Sequence, residues 1–248
     1  MDIPLSLRGI LTISEKNMRI YYSKPPVLMF GILFPIFMFL SFSVGRNIEL
    51  SRFFPGFLAM MLFFTASSVG PMVIPFEKRE RTYERLLAYP VTIESIILGD
   101  ICSGAVFGIV FTIFAAVIGV VLLSMSVQSF VVLVIALVLG TFANAALGVL
   151  LASPSFDNPP NVMMMSNLIR FPLIFVSGIF VPLQEMDGVL RYIAYCSPLT
   201  YLTDLFQFAM NGISALHPAI DMIVLIVSSL FFFLLARTIQ KRNLARGL

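Results

Sequence analysis

The sequence predicts an all-α polytopic membrane protein with six transmembrane helices. Three observations carry this reading. Hydrophobic residues make up 59% of the 248 residues and charged residues only 12%, where soluble domains run near about 45–50% and about 25%. Six apolar stretches reach the roughly 20 residues that a bilayer-spanning helix needs. The basic residues cluster in three segments that these stretches place on one side of the membrane. Disorder, a secreted disulfide scaffold and an ordinary soluble enzyme are excluded by the same composition.

The apolar stretches run over 26–45, 54–76, 96–124, 130–153, 162–182 and 218–237. The segment before the first carries Arg8, Lys16, Arg19 and Lys24. The link after the second carries Lys78, Arg79, Arg81 and Arg85, and the C-terminal tail carries Arg237, Lys241, Arg242 and Arg246. The other side receives only Arg46, Arg52 and Arg191. By the positive-inside rule, both termini are cytoplasmic in a multi-pass plasma-membrane protein. The chain reads as one transmembrane domain over 1–248.

Residues 5–22 read as an amphipathic interfacial helix. At about 100° per residue, Arg8, Thr12, Glu15, Lys16 and Arg19 share one arc. Leu7, Ile10, Leu11, Ile13, Met18, Ile20 and Tyr21 share the other, which suits a helix lying in the headgroup boundary. It either frames a cytoplasmic docking surface or serves as a passive anchor. Pro25-Pro26 ends it.

The cysteines, Cys102 and Cys196, have no zinc or redox spacing, and the topology puts them near opposite faces. His217 is the sole histidine. A His/Cys metal site and a histidine-based catalytic triad are therefore not expected.

Residues 77–90 are the most informative. On one helix, Glu77, Glu80 and Glu84 would form an acidic stripe, with Lys78, Arg81 and Arg85 a basic stripe beside it. Tyr83, Leu86, Leu87 and Pro90 would form an apolar face, and Pro90 would stop the helix. Thr92 is placed to cap the next helix, with Glu94 at its positive end. Such a segment either docks on a soluble partner, its apolar face in the partner's groove, or is a solvated charge run that only sets topology.

This stretch, Glu77 to Val91, resembles the signature of ABC-2-type transporter permeases, E-x-x-G-T-x-E-x-L-L-x-x-P-V. Thr82, Glu84, Leu86, Leu87, Pro90 and Val91 match it, and Arg81 stands where that family usually has Gly. Residues 176–182 (VSGIFVP) are similar to the family's fifth-span ending. Ser197-Pro198-Leu199-Thr200-Tyr201 with Asp204 is similar to its N-P-L-T-Y-x-x-D. The resemblance implies the membrane half of an ATP-driven exporter. It makes 77–90 a coupling helix that meets the ATPase through Glu77, Glu80, Arg81, Thr82, Tyr83, Glu84, Leu86 and Leu87. No lysine here has a P-loop context, so ATP would be bound by a separate ATP-binding cassette subunit and this chain needs no cofactor. Six spans also imply a second permease copy or a paralogue. Lipid is the remaining partner, and nothing points to nucleic acid.

Residues 184–212 are too polar to span. They read as two short helices, about 187–195 and 199–210, either re-entrant from the outer side or an ordinary external loop. Within the spans, Gly140, Asn144 and Gly148 share one face, as do Gly104 and Gly108, which permits close helix approach. Asn144 serves either packing or a substrate path. Arg170, with Asn167 a turn before it, sits inside the fifth span, where a charge is costly and marks a functional candidate. It either meets an anionic headgroup or a carboxylate such as Asp157, or snorkels to the interface. A membrane-embedded enzyme lacks the paired carboxylates or nucleophile it would need. A permease-like scaffold or sensor shares every feature above except ATP-dependent transport.

Overall fold

The computed structural model describes residues 5–44, 50–89, 91–122, 124, 126–154 and 158–245. Arg46, Pro90, Asp157 and Arg246 lie outside them, as do the helix stop and the ion pair expected of Pro90 and Asp157. The described residues form helices joined by turns and short links, without a strand. An N-terminal helix α1 (Leu5–Tyr21) precedes the first span, which is α2 (Pro25–Leu28), a π-helical turn (Met29–Leu33) and α3 (Phe34–Ser43) in series. The second span is α4 (Leu50–Arg79), followed by short α5 (Thr82–Leu87), then α6 (Ile93–Leu122) and α7 (Phe130–Ala152). Next come α8 (Pro159–Val176), α9 (Val189–Tyr195), α10 (Pro198–Asn211) and α11 (Pro218–Ala245).

Five of these segments are long and apolar enough to cross a membrane. The sixth expected span, α8, is not among them. It holds 18 residues, about 27 Å at the α-helical rise, and Asn161, Ser166, Asn167 and Arg170 lower its apolar content. It stops at Val176, six residues before the expected end, because Gly178 takes φ +81° and turns the chain. The last helix instead runs on to Ala245, past the expected 237.

Helix α4 is the axis of the bundle. It is buried from Phe53 to Pro75 and packs against α6, α7, α8 and α10. A helix apolar on every side is stable only when enclosed, and α4 reaches this state through glycines on its neighbours. A Cβ on Gly148 would lie 2.5 Å from the Ser67 carbonyl oxygen, and one on Gly104 would lie 2.6 Å from that of Ala66. The small-residue faces on α6 and α7 thus serve close backbone approach. The exposed apolar side chains lie on the outward faces of α3, α6, α7, α8 and α11. Apolar exposure of this kind fits a multi-pass membrane protein.

Candidate functional site

At one end of the bundle, α1, α5, the start of α6 and the tail of α11 meet. Residues 77–90 do not form one helix there. Helix α4 carries Glu77 to its end at Arg79, the chain turns at Glu80 and Arg81, and α5 begins at Thr82. Arg81 holds the turn in the left-handed region, φ 56° and ψ 19°, where a Cβ is disfavoured and glycine is favoured. The position where the motif departs from Gly is therefore the position whose backbone wants Gly.

This turn breaks the expected acidic stripe. Glu77 is buried and ion-paired with Lys16 of α1, whereas Glu80 and Glu84 are exposed. The apolar face is also redirected. Tyr83 is 3% exposed and packs with Ile13 and Ile96, and Leu86 and Leu87 lean on the same cluster. They seat α5 on its own chain, with Tyr83 buried and Leu86 and Leu87 half-buried. The outward face is polar: Glu80, Arg81, Thr82, Glu84 and Arg85. Thr82 Oγ1 donates to the Glu77 carbonyl at 3.2 Å, and Thr92 caps α6 by accepting from the Ser95 N–H at 3.2 Å.

Beneath α5 lies polar bonding that periodicity did not reveal. The Tyr83 hydroxyl donates to Gln240 Oε1 at 3.0 Å, and Gln240 Nε2 donates to Ser153 Oγ at 3.1 Å. Asn243 Nδ2 donates to the Ser153 carbonyl at 2.9 Å. Burial, with the Asp100 and Glu77 charges nearby, pushes the Tyr83 hydroxyl above its ordinary range, so it stays a neutral donor. Deeper, Asn17 of α1 donates to Asp100 Oδ1 at 2.7 Å, and Tyr22 donates to the Ser103 carbonyl. At the rim, Glu94 accepts from Arg237 at 2.7 Å and from Lys241 at 2.6 Å.

Helix α1 therefore has three faces rather than two. Ile13, Ser14, Asn17 and Tyr21 point into the bundle, and the Ile13 side chain closes onto Gly99, where a Cβ would meet it at 2.7 Å. Leu7 and Leu11 remain exposed on one side, and Ile20 is exposed on another.

Arg170 lies in the interior of the bundle, 1% exposed, so it does not snorkel. Its guanidinium donates to Ser68 Oγ at 3.1 Å and Ser67 Oγ at 3.3 Å on α4, and lies 5.6 Å from the Phe64 ring centre. No carboxylate pairs with it among the described residues. Asn167 lines a mostly apolar groove of about 740 Å³ between the first span and α8, together with Phe30, Met163 and Phe171. Asn144 is elsewhere, buried on the α7 face toward α4. No hydrogen bond links it to Asn167 or Arg170.

The opposite end carries α9 and α10, close to the expected 187–195 and 199–210. Asp204 accepts from Ser214 Oγ at 2.8 Å and from the Ala215 and Leu216 N–H groups at 2.8 and 2.9 Å. Thr200 and Tyr201 donate to the carbonyls of Ala194 and Tyr195, which ties α10 back to α9. The Thr, Tyr and Asp of the 197–204 motif are thus structural here.

Comparison with known proteins agrees with this architecture. The family described as ABC-2 type transporter matches residues 8–211. Nodulation protein J of Rhizobium meliloti (strain 1021) is 26% identical over 187 residues, covering 73% of this chain and 69% of that protein. Nodulation protein J of Rhizobium leguminosarum bv. trifolii is 25% identical over 239 residues, covering 91% and 86%.

Proposed function

Since the chain belongs to the ABC-2 type transporter family, we propose that it is the membrane-spanning permease of a transporter whose ATPase, a separate chain, docks on α5. The observation that carries this is the two-sidedness of α5. Its inner face is bonded and packed into the bundle, and its outer face offers Glu84 and Arg85, beside Glu80 and Arg81 of the preceding turn, to a soluble partner. A mixed-charge surface of this kind fixes the register of docking and steers association. The α5 end is cytoplasmic on this reading, because α1, the 77–90 link and the α11 tail hold most of the basic residues.

Export of a hydrophobic or amphipathic substrate fits the groove beside α8. Its walls are apolar, with methionines that adapt to shape. Arg170 does not line this groove; it is buried behind it on Ser67 and Ser68 of α4. The groove opens between two helices of one chain, which suits completion by a second copy or a paralogue.

The test is purification from native membranes and identification of what co-purifies. A stoichiometric soluble ATPase is expected. Glu80→Lys with Glu84→Lys should lower its recovery at least about tenfold, which corresponds to roughly 1.4 kcal/mol of docking free energy. Undiminished recovery from the doubly reversed variant would remove α5 as the docking site.

A further inference from the structure

We propose that Gln240 is a positioning residue that carries the movement of α5 to α7 and α11. The proposal rests on the reading of α5 as the ATPase docking helix. Helix α5 adjoins only α4 and α6 in sequence, yet its one buried side chain is bonded elsewhere. Tyr83 reaches Gln240 on α11, 157 residues away, and Gln240 reaches Ser153 at the end of α7. Tyr83, Gln240 and Ser153 are 3%, 2% and 0% exposed, so no water competes for these bonds and each group depends on the next. Asn243, one turn further along α11, holds the Ser153 carbonyl and doubles the joint.

The amide is the residue type this joint requires. One end accepts from the tyrosine hydroxyl while the other donates to the serine, so a displacement of Tyr83 must either drag Gln240 or leave a buried polar atom unpaired. The junction of α4 with α5 is a two-residue turn strained at Arg81. It can flex where the Tyr83 joint cannot. Movement received by α5 therefore reaches α11 and α7 through side chains, in addition to the flanking backbone.

The experiment uses the full permease–ATPase complex in lipid vesicles. In a background with Cys102 and Cys196 replaced by serine, Ile223→Cys on the exposed face of α11 carries an environment-sensitive fluorophore. The readout is its response to a non-hydrolysable ATP analogue. Tyr83→Phe keeps the ring packed on Ile13 and Ile96 and removes only the hydroxyl. Gln240→Met keeps the side-chain length and removes the amide.

Each variant should retain ATPase recovery and lose at least about half of the nucleotide response. The double variant should lose no more than either alone, because both act in one path. Full responses in both single variants, additive losses in the double, or no nucleotide response at Ile223→Cys in the unsubstituted complex would overturn the proposal. If Glu80→Lys with Glu84→Lys abolishes assembly while both single variants respond fully, the joint alone is wrong. If that reversal leaves assembly and response intact, the docking assignment fails and the joint falls with it.

Discussion

The two ends of the bundle are held together by different means. At the α5 end, bonds join residues far apart in sequence: Lys16 to Glu77, Asn17 to Asp100, Tyr83 to Gln240, Arg237 to Glu94. At the α9–α10 end, the bonds close within a few residues, from Thr200 to Ala194 and from the 214–216 turn to Asp204. Long-range bonds there run from Gln207 to the Arg52 carbonyl at 2.9 Å, and from the Gln128 and Ser129 N–H groups to the Ala209 carbonyl at 2.9 Å. A region knit by long-range polar bonds moves as a body and passes displacement to every helix it ties. At the other end α10 is packed into the core against α4, α7 and α11, and only α9 and the 212–217 turn, held by local bonds, can rearrange with little disturbance to the rest. The first arrangement suits the receipt of mechanical work, and the second suits a local outer module.

The comparison can be broken by substitution, and the largest effect is expected where a buried charge loses its partner. Lys16→Met leaves the buried Glu77 carboxylate without its partner and should cost about 3 kcal/mol, read as a lower melting temperature of the purified protein. Asp204→Ala removes the acceptor of two backbone N–H groups and should cost roughly 2 kcal/mol. Its damage should stay local, seen as faster proteolysis within 212–217 with ATPase recovery unchanged. Proteolysis spreading to the α5 end would show that the two ends are not independent.

Arg81→Gly should act in the other direction. Relieving a left-handed non-glycine residue is expected to stabilise the fold by about 1 kcal/mol, and a lower melting temperature would contradict the strained turn. Glu94→Gln should have the smallest effect, under about 1 kcal/mol, because both its ion pairs are partly solvated. A loss comparable with that of Lys16→Met would mean the rim pairs are structural.

Much of this architecture was legible in the sequence because apolar length and basic-residue placement obey strong constraints in a bilayer. The five long spans, α1, α9 and α10 all lie where hydropathy and proline spacing put them. The break between α4 and α5 had one signal, an arginine at the motif's glycine position. What escaped was which apolar face meets protein and which meets lipid. Both are equally apolar in a membrane, so Tyr83, Leu86 and Leu87 looked available to a partner when they seat α5 on its own chain. Asn17, Asp100 and Gln240 escaped for another reason: each bonds to an element that no local period connects to it. Arg170 could be placed in its span, but only packing shows that it turns toward the serines of α4 rather than toward the interface.

The central claim is that α5 is where the ATPase meets this chain. The direct measurement is site-specific photocrosslinking in the intact complex, with the crosslinker at Glu84 on the outward face of α5, and at Tyr192 of α9, which is 75% exposed at the opposite end. The account predicts an adduct with the ATPase from position 84 and none from position 192. Capture from position 192, or its absence at position 84 in a complex that still turns over ATP, would contradict it.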